Sequence, residues 1–449
     1  MLRRWIQRIP QPRVDGIASV RLAEVDLAEE LPTLYAGIAD WAQVFVTLHR
    51  QPLGMVLVDL RGGAVEPAEL RSMVYGALGD LAQEHLRNDA AGSDADHDAA
   101  PATPRCLREL RAGPDAPLVS VVVPTRDRAA QLAACLESLV RVDYPAFEVL
   151  VVDNAPADDT TRRMVEERFG ADPRVRYLRD ARPGASLARN KGTRAARGEI
   201  VAYTDDDAIV DRHWLAALVR GFADDPQVMC VAGLTLPTEL ETPAQVAFEL
   251  YGGMTCGFRR RVYDLGTHRG DTLLYPYTAG VFGASNNVAF RRLPFLDRGG
   301  FDTALGPATP TFGAEDLDSF LSVILRGNRI VYEPRAMVRH EHRRAFPELY
   351  WQVFTYSAGF TALLLKWALT DRQVALDLIR RVPRMLPAAF LAAHRSGAEA
   401  GCGDYPSQLR WLERFGYLYG PVAYTRSRIQ FRRALRDPQR SPTGVRLGT

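Results

Sequence analysis

The segment Ile200-Val-Ala-Tyr-Thr-Asp-Asp-Asp-Ala-Ile-Val210 joins a short apolar run to three consecutive carboxylates, Asp205, Asp206 and Asp207. Like charges at contact distance repel one another, so three ionised carboxylates are most stable around a cation. At the end of a buried strand they indicate a divalent ion with oxygen ligands, such as Mg²⁺ or Mn²⁺. The alternative is a solvated acidic turn in which an Asp caps the next helix, and this segment alone favours neither.

Upstream of this segment, apolar runs alternate with segments of helical period. Val119–Pro124 and Phe147–Asp153 are nearly continuous apolar runs, as in strands covered on both faces. The alternation predicts right-handed crossovers and a parallel sheet, whose ligands gather at the carboxyl ends of the strands. Residues 125–127, 153–154 and 205–207 all fall at such ends. The sequence therefore predicts one polar site at one edge of the sheet.

The composition excludes several classes of protein. The formal net charge of +2 gives no global field that would attract nucleic acid. The five cysteines are scattered and form no Cys-x-x-Cys, which favours neither disulfides nor a zinc site and is typical of a cytoplasmic protein. No apolar stretch is long enough to span a bilayer, and the N-terminal segment lacks the features of a signal peptide.

The length of 449 residues predicts roughly two or three domains. We expect a small N-terminal α/β domain over 1–87 and a flexible acidic linker over 88–116. The alternating strands and helices then occupy 117–345, and a C-terminal helical region follows over 346–449. The apolar and basic faces of the last region predict packing on the preceding domain, with peripheral contact to an anionic membrane surface as the alternative.

Four motifs in this order resemble those of the family-2 glycosyltransferases of the GT-A fold. They are Val-Ser-Val-Val-Val-Pro-Thr-Arg-Asp-Arg from Val119, Val-Val-Asp-Asn from Val151, Gly184-Ala-Ser-Leu-Ala-Arg-Asn-Lys-Gly192, and Thr-Asp-Asp-Asp from Thr204. The resemblance covers about 117–345. It implies a Rossmann-like, mainly parallel α/β sheet flanked by helices, and an inverting enzyme that uses a nucleotide-diphosphate sugar and Mn²⁺ or Mg²⁺.

The resemblance also implies roles for residues at the strand ends. Asp153 would bind the base or ribose, Arg189 would lie against the base or phosphates, and Asn190 would fix the loop. The metal ligands would be Asp207 and Asp205 with His340, although His342 has an equivalent position on an extended chain. The full set of expected donor-binding residues is Pro124, Thr125, Arg126, Asp153, Arg189, Asn190, Asp205 and Asp206.

The second half of the resembling region would bind the acceptor. Asn286 and Asn287 follow a Gly-rich turn and suit hydroxyl recognition, although a capped turn is an equal alternative. Glu315-Asp316 opens a helix whose N-terminus stabilises an ionised carboxylate. Inverting transfer needs a base for the acceptor hydroxyl. The resemblance makes Asp316 that base and Glu315 its orienter.

These observations predict transfer of one hexosyl group from a nucleotide sugar, first of all a UDP-sugar, to a carbohydrate or lipid-linked hydroxyl, as in polysaccharide biosynthesis for the cell envelope. Gln408-Leu-Arg-Trp411 is one residue short of the Gln-x-x-Arg-Trp of processive synthases, so polymerisation is disfavoured. Two alternatives remain at this level. They are a sugar nucleotidyltransferase and a non-catalytic carbohydrate-binding scaffold of the same fold.

Overall fold

The computed structural model describes residues 2–6, 9, 19–90, 103–113, 115–223, 225–250, 252–391 and 407–436. The strands within these ranges are β1 Arg21–Asp26, β2 Leu34–Tyr35, β3 Trp41–Leu48, β4 Gln51–Asp59, β5 Ala64–Val65, β6 Val119–Thr125, β7 Phe147–Asn154, β8 Val175–Asp180, β9 Ile200–Tyr203, β10 Ala208–Val210, β11 Val228–Pro237, β12 Arg261–Tyr263, β13 Val288–Arg291 and β14 Arg329–His340. The helices are α1 Leu2–Ile6, α2 Pro67–Ala90, α3 Arg105–Glu109, α4 Ala129–Leu139, α5 Thr160–Phe169, α6 Ala185–Ala195, α7 Trp214–Ala223, α8 Pro243–Leu250, α9 Arg292–Asp297, α10 Glu315–Leu325, α11 Phe346–Thr370, α12 Arg372–Leu391 and α13 Ser407–Arg436, with one 3₁₀ turn at Ala279–Phe282.

A nine-stranded sheet forms the centre of the molecule. Its order is β10-β14-β11-β13-β9-β6-β7-β8, and β12 pairs with β14 outside this path. Strands β8, β7, β6, β9, β11 and β14 run in one direction, whereas β10, β12 and β13 run against them. The predicted α/β architecture with a mainly parallel sheet and flanking helices is confirmed.

The apolar runs form strands because both faces of this sheet are covered. Strand β7 is buried at every position, and β6 at every position but Pro124. Successive side chains point to opposite faces. Val121 and Val149 therefore enter one hydrophobic core, and Val122 and Leu150 enter the other. A charged residue in these runs loses its hydration on either face, so Glu148 near the start of β7 is paired with Ser120 and Arg176, and Asp153 lies where β7 ends.

The N-terminal unit packs directly on the catalytic sheet. Its three-stranded sheet, β1-β3-β4, is covered by α2, and Phe45 of β3 joins the core of the central sheet. Ion pairs join the units: Arg259 to Glu84 at 3.0 Å, Arg335 to Glu109 at 3.2 Å, and Arg339 to Glu24. The ends of the predicted linker are helical, since α2 continues to Ala90 and α3 begins at Arg105. Residues 91–102 lie outside the described residues.

The C-terminal helices pack against the catalytic region and against one another. Gly416 and Gly420 of α13 let that helix approach α11 closely, because a Cβ at Gly416 would come within 2.5 Å of the Phe354 carbonyl oxygen. Gly359 of α11 lies against the turn before α10, where its Cβ would stand 3.3 Å from that of Ala314. Among the described helices, none combines the length and apolarity needed to cross a bilayer.

Candidate active site

Two carboxylates and one imidazole meet at the carboxyl edge of the sheet. Asp205 and Asp207 follow β9, and His340 ends β14, where its backbone is paired with Ala208 of β10. One ligand atom from each of the three side chains lies within 4.8 Å of the others. His340 Nε2 is 3.2 Å from Asp207 Oδ1, and neighbouring ligands of one Mg²⁺-sized ion stand about 3 Å apart. The donor set therefore fits a divalent cation.

His342 is not part of this cluster. Strand β14 ends at His340, so the alternation of side chains does not continue to residue 342. The buried imidazole of His342 instead lies 2.6 Å from Glu249 Oε1 through its Nε2 atom and edge-on to the Phe248 ring. Of the two histidines expected as ligands, the structure brings His340 to the carboxylates.

Arg128 is the main counterion of the acidic turn. Its Nη1 atom donates to Asp207 Oδ2 at 2.8 Å and to Asp206 Oδ1 at 3.0 Å, while the Thr125 hydroxyl donates to Asp206 Oδ2. Burial raises the pKa of Asp206 to about 6. Burial also opposes ionisation of Asp207, but His340 and Arg128 hold the pKa of that carboxyl well below its usual range. Arg128 belongs to the motif that begins at Val119, but the sequence alone indicated no role for this residue.

Asp153 lies at the end of β7 with one oxygen satisfied and one free. Tyr177 donates its hydroxyl proton to Asp153 Oδ2 at 2.7 Å. Asp153 Oδ1 is buried and has no hydrogen-bond partner among the described residues. An unmet buried acceptor is costly, so this oxygen suits an N–H or O–H of a ligand. Pro124 is half-buried beside it on β6, whereas Arg126 is exposed.

Arg189 connects the two acidic halves of the site. Its buried guanidinium donates through Nη1 to Glu315 Oε1 at 2.6 Å and through Nη2 to Asp205 Oδ1 at 2.9 Å. The Ser285 hydroxyl accepts a further bond from Nη2 at 3.2 Å. From the sequence, this side chain was expected to lie against a base or phosphates. The structure places it between carboxylates because α10 docks against α6.

Asn190 has both ends of its amide engaged by one residue of the chain. It donates to the Phe301 carbonyl oxygen at 2.8 Å and accepts from the Phe301 N–H at 2.8 Å. Its expected loop-fixing role agrees with this geometry, and its expected place among donor-binding residues does not.

Asp316 lies in the first turn of α10, beside Glu315. Its Oδ1 accepts from the Leu317 N–H at 2.8 Å and its Oδ2 from the Ser285 N–H at 3.2 Å. Burial raises the pKa of Asp316, and these two donors oppose the rise. Burial likewise raises the pKa of Glu315, against the pull of Arg189. Ala314 before them adopts a left-handed conformation with φ of 74°, a strained geometry that non-glycine residues hold only where packing enforces it.

The two neighbouring asparagines have different surroundings. Asn287 is fully buried, accepts from Trp214 Nε1 at 2.8 Å, and donates to the carbonyl oxygens of Leu234 and Ala336. The structure contradicts an acceptor-binding role for Asn287, because its amide joins β11 and β14. Asn286 accepts from the Thr235 hydroxyl at 3.2 Å, and its buried nitrogen has no partner among the described residues.

Comparison with known proteins gives one family match and several relatives. Residues 120–264 match the model of glycosyl transferase family 2. The chain is 34% identical over 232 residues to the uncharacterized protein y4gI of Sinorhizobium fredii, covering 50% of this chain and 24% of that protein. It is 28% identical over 269 residues to the glucosyl-dolichyl phosphate glucuronosyltransferase of Haloferax volcanii, covering 58% of this chain and 82% of that protein. The match to the pre-mycofactocin glycosyltransferase of Mycobacterium tuberculosis is 28% over 232 residues, 51% of this chain and 44% of that protein.

Among solved structures, the mannosyltransferase of Pyrobaculum calidifontis in complex with GDP-Man and Mn²⁺ aligns with a TM-score of 0.43 and 19% identity, covering 81% of this chain and 85% of that one. The family match ends before α10, so it includes Asp153 and the acidic turn but neither Glu315 nor His340. Motif order, sheet architecture and family match agree. The chain therefore carries a glycosyl transferase family 2 domain, to which residues 120–264 belong.

Proposed function

We propose that the chain is a metal-dependent, inverting glycosyltransferase of the GT-A type, which moves one sugar from a nucleotide-diphosphate sugar to an acceptor hydroxyl. The observation that carries the proposal is the position of Arg189. One guanidinium touches both Asp205 of the cation cluster and Glu315 at the start of α10. The cation cluster and the carboxylates at the start of α10 are therefore joined through one buried side chain, which supports a shared site for donor and acceptor. This is the arrangement that transfer from a nucleotide diphosphate to a hydroxyl requires.

The donor half of the proposal rests on the strand ends. Asp205, Asp207 and His340 would hold Mn²⁺ or Mg²⁺, which when bound supplies Lewis-acid stabilisation of the departing diphosphate. The free Asp153 oxygen would accept from the base or ribose. Arg128 neutralises Asp206 and Asp207 and is near enough to the cation cluster to contact phosphate oxygens. A UDP-sugar is our first choice of donor.

The acceptor half rests on Asp316. Its raised pKa makes the carboxylate a better proton acceptor than an exposed Asp, and the two backbone N–H donors fix its orientation. Glu315, held by Arg189, would keep that guanidinium in place. Asn286, with its unsatisfied amide nitrogen, is the better of the two asparagines for an acceptor contact.

A lipid-linked acceptor extends this proposal. The Haloferax volcanii relative is named for a glucosyl-dolichyl phosphate substrate, and the match covers 82% of its length. The C-terminal helices also expose apolar side chains beside basic ones, with Leu418 and Val422 one turn apart on α13 and Ile379 exposed on α12. We propose a cytoplasmic protein whose region 346–449 touches the inner face of the membrane. Full-length protein should co-sediment with phosphatidylglycerol vesicles, and Leu418→Gln should weaken the co-sedimentation.

The activity test uses purified full-length chain, Mn²⁺ and a panel of nucleotide sugars. Mn²⁺-dependent release of nucleoside diphosphate, stopped by a chelator, is the expected result. Release of pyrophosphate would instead indicate nucleotidyl transfer. If calorimetry detected no Mn²⁺-dependent binding of any nucleotide, a non-catalytic scaffold would be the better description.

A further inference from the structure

A second group of metal-binding side chains lies in the N-terminal half, away from the carboxyl edge of the catalytic sheet. His49, His85, Asp89 and Cys106 each offer one ligand atom, and these atoms lie within 4.8 Å of one another. The four residues come from three elements: the β3–β4 turn, the last turns of α2, and the first turn of α3. We propose that this cluster is a structural Zn²⁺ site that fastens the N-terminal unit together.

The distances inside the cluster match those of a tetrahedral zinc site. His49 Nδ1 and Cys106 Sγ are each 3.4 Å from Asp89 Oδ2. Ligands at about 2.0–2.3 Å from a tetrahedral ion stand roughly 3.3–3.8 Å apart. His85 and Asp89 are four residues apart on α2, so both face the same side of that helix. The other pairs of ligand atoms lie within 4.8 Å, so these side chains would move closer together around the ion.

The hydrogen bonds around the cluster leave its ligand atoms available. His49 Nδ1 and His85 Nε2 are buried and have no hydrogen-bond partner among the described residues. The Cys106 N–H donates to Asp89 Oδ1 at 2.8 Å, which fixes the carboxylate while Oδ2 faces the thiol and His49. Carboxylates that bind metal ions in proteins are themselves commonly held by hydrogen bonds of this kind. Two unpaired imidazole nitrogens in one buried place are otherwise costly.

The types of ligand favour zinc over the cation of the catalytic site. A thiolate and two imidazoles are softer donors than the carboxylates that bind Mg²⁺ or Mn²⁺. Four protein ligands leave no open position, which is the mark of a structural site. Binding would release the Cys106 thiol proton to solvent, and the ion would replace the present thiol-to-Asp89 hydrogen bond.

The position of the cluster indicates what the ion would do. Cys106 begins α3, and Glu109 of the same helix pairs with Arg335 of β14. Zn²⁺ would therefore join α2 and the β3–β4 turn to a helix that is anchored on the catalytic sheet. The scattered cysteines gave no sign of this site, because its ligands are far apart in the chain and only the fold brings them together.

The test is metal analysis of full-length chain carrying Asp207→Asn, which disables the other cation site. After incubation with Zn²⁺ and exhaustive dialysis, one equivalent of zinc should remain, and Cys106→Ser or His85→Gln should lose it. Cys256→Ser is the matched control, since this cysteine lies outside the cluster, and it should keep the zinc. Substitution with Co²⁺ should give a thiolate-to-cobalt charge-transfer band that depends on Cys106. A chelator should lower the melting temperature by several degrees only where Cys106 is present.

Two results would overturn the proposal. One is wild-type chain that retains no zinc and gives no charge-transfer band with Co²⁺, which would make the cluster an ordinary hydrogen-bonded group. The other is a Cys106→Ser variant that binds zinc as the parent does. If Cys106→Ser failed to fold, the cobalt spectrum of the parent chain would still distinguish a zinc site from an ordinary hydrogen-bonded group.

Discussion

Replacing Arg189 with glutamine removes the only cation that touches both Asp205 and Glu315 among the described residues. The side chains of Arg189 and Glu315 are only 4% and 5% exposed. Removing one partner of a buried ion pair costs about 3–5 kcal/mol, because the remaining charge stays desolvated. For a cooperative unit the size of residues 117–345, that corresponds to a fall in melting temperature of roughly 6–20 °C.

Arg128→Gln is the matched control for this change. Arg128 also pairs with two carboxylates of the site, which are 8% and 7% exposed, but its own side chain is 37% exposed. Water can therefore replace the guanidinium, and the loss should be smaller, at about 1–3 kcal/mol. Combining Arg189→Gln with Glu315→Gln removes both buried charges and should recover part of the stability. Differential scanning calorimetry of the metal-free variants measures all three. A smaller loss for Arg189→Gln than for Arg128→Gln would refute the reasoning.

The same substitution should change how activity depends on pH. Asp316 must be ionised to act as a base, so activity falls as pH decreases through its pKa. Burial already raises that pKa, and Arg189 opposes the rise. Arg189→Gln should therefore move the acid limb of kcat/KM to higher pH, and Glu315→Gln, which removes a neighbouring negative charge, should move it lower. Initial rates of nucleoside diphosphate release across pH measure both, and identical limbs would show that Asp316 is not the base.

Four further substitutions separate chemistry from structure. Asp207→Asn should abolish Mn²⁺ binding in calorimetry. His342→Ala should keep Mn²⁺ binding and lower only the melting temperature, since His342 pairs with Glu249. Equal Mn²⁺ affinity for both variants would contradict the cation site at Asp207. Asp316→Asn should reduce kcat by roughly 10²–10⁴-fold. Its amide nitrogen would replace one of the two acceptors of the Leu317 and Ser285 N–H groups, so a stability loss of about 1–3 kcal/mol should accompany the change. Full activity in this variant would dismiss Asp316 as the base. Asn287→Ala should leave three buried groups unpaired, the Trp214 indole N–H and the carbonyl oxygens of Leu234 and Ala336, at about 1–3 kcal/mol each. Urea unfolding measures this loss of stability. A variant as stable as wild type with a raised acceptor KM would restore the acceptor role to Asn287.

The sheet and its polar edge could be predicted because the information is local. A strand covered on both faces requires an unbroken apolar run, and Val119–Thr125 and Phe147–Asn154 supply one each. Chain reversal at the strand ends then brings Asp153 and the acidic turn to one edge, whatever the details of packing. Motif order was enough to place His340 among the possible metal ligands.

The errors concern residues whose surroundings depend on distant parts of the chain. Arg189 is 126 residues from Glu315, and nothing in its own helix indicates that α10 docks against it. Asn286 and Asn287 are both buried, but only Asn287 has its whole amide paired within the chain, which depends on the register of β13 between β9 and β11. His342 was an alternative to the expected His340 only while β14 was assumed to continue past residue 340.

The contact between Gly359 and Ala314 links the carboxylates at the start of α10 to the C-terminal helices. Ala314 adopts the left-handed conformation that precedes Glu315 and Asp316. Gly359 of α11 packs directly against Ala314, because a glycine has no side chain to separate the two backbones. Lys366 on the same helix binds Asp318, one turn further along α10. A chain truncated at residue 345 would thus lose the helix that packs behind the Ala314 turn, and an inactive fragment of that kind would reveal nothing about the carboxylates themselves.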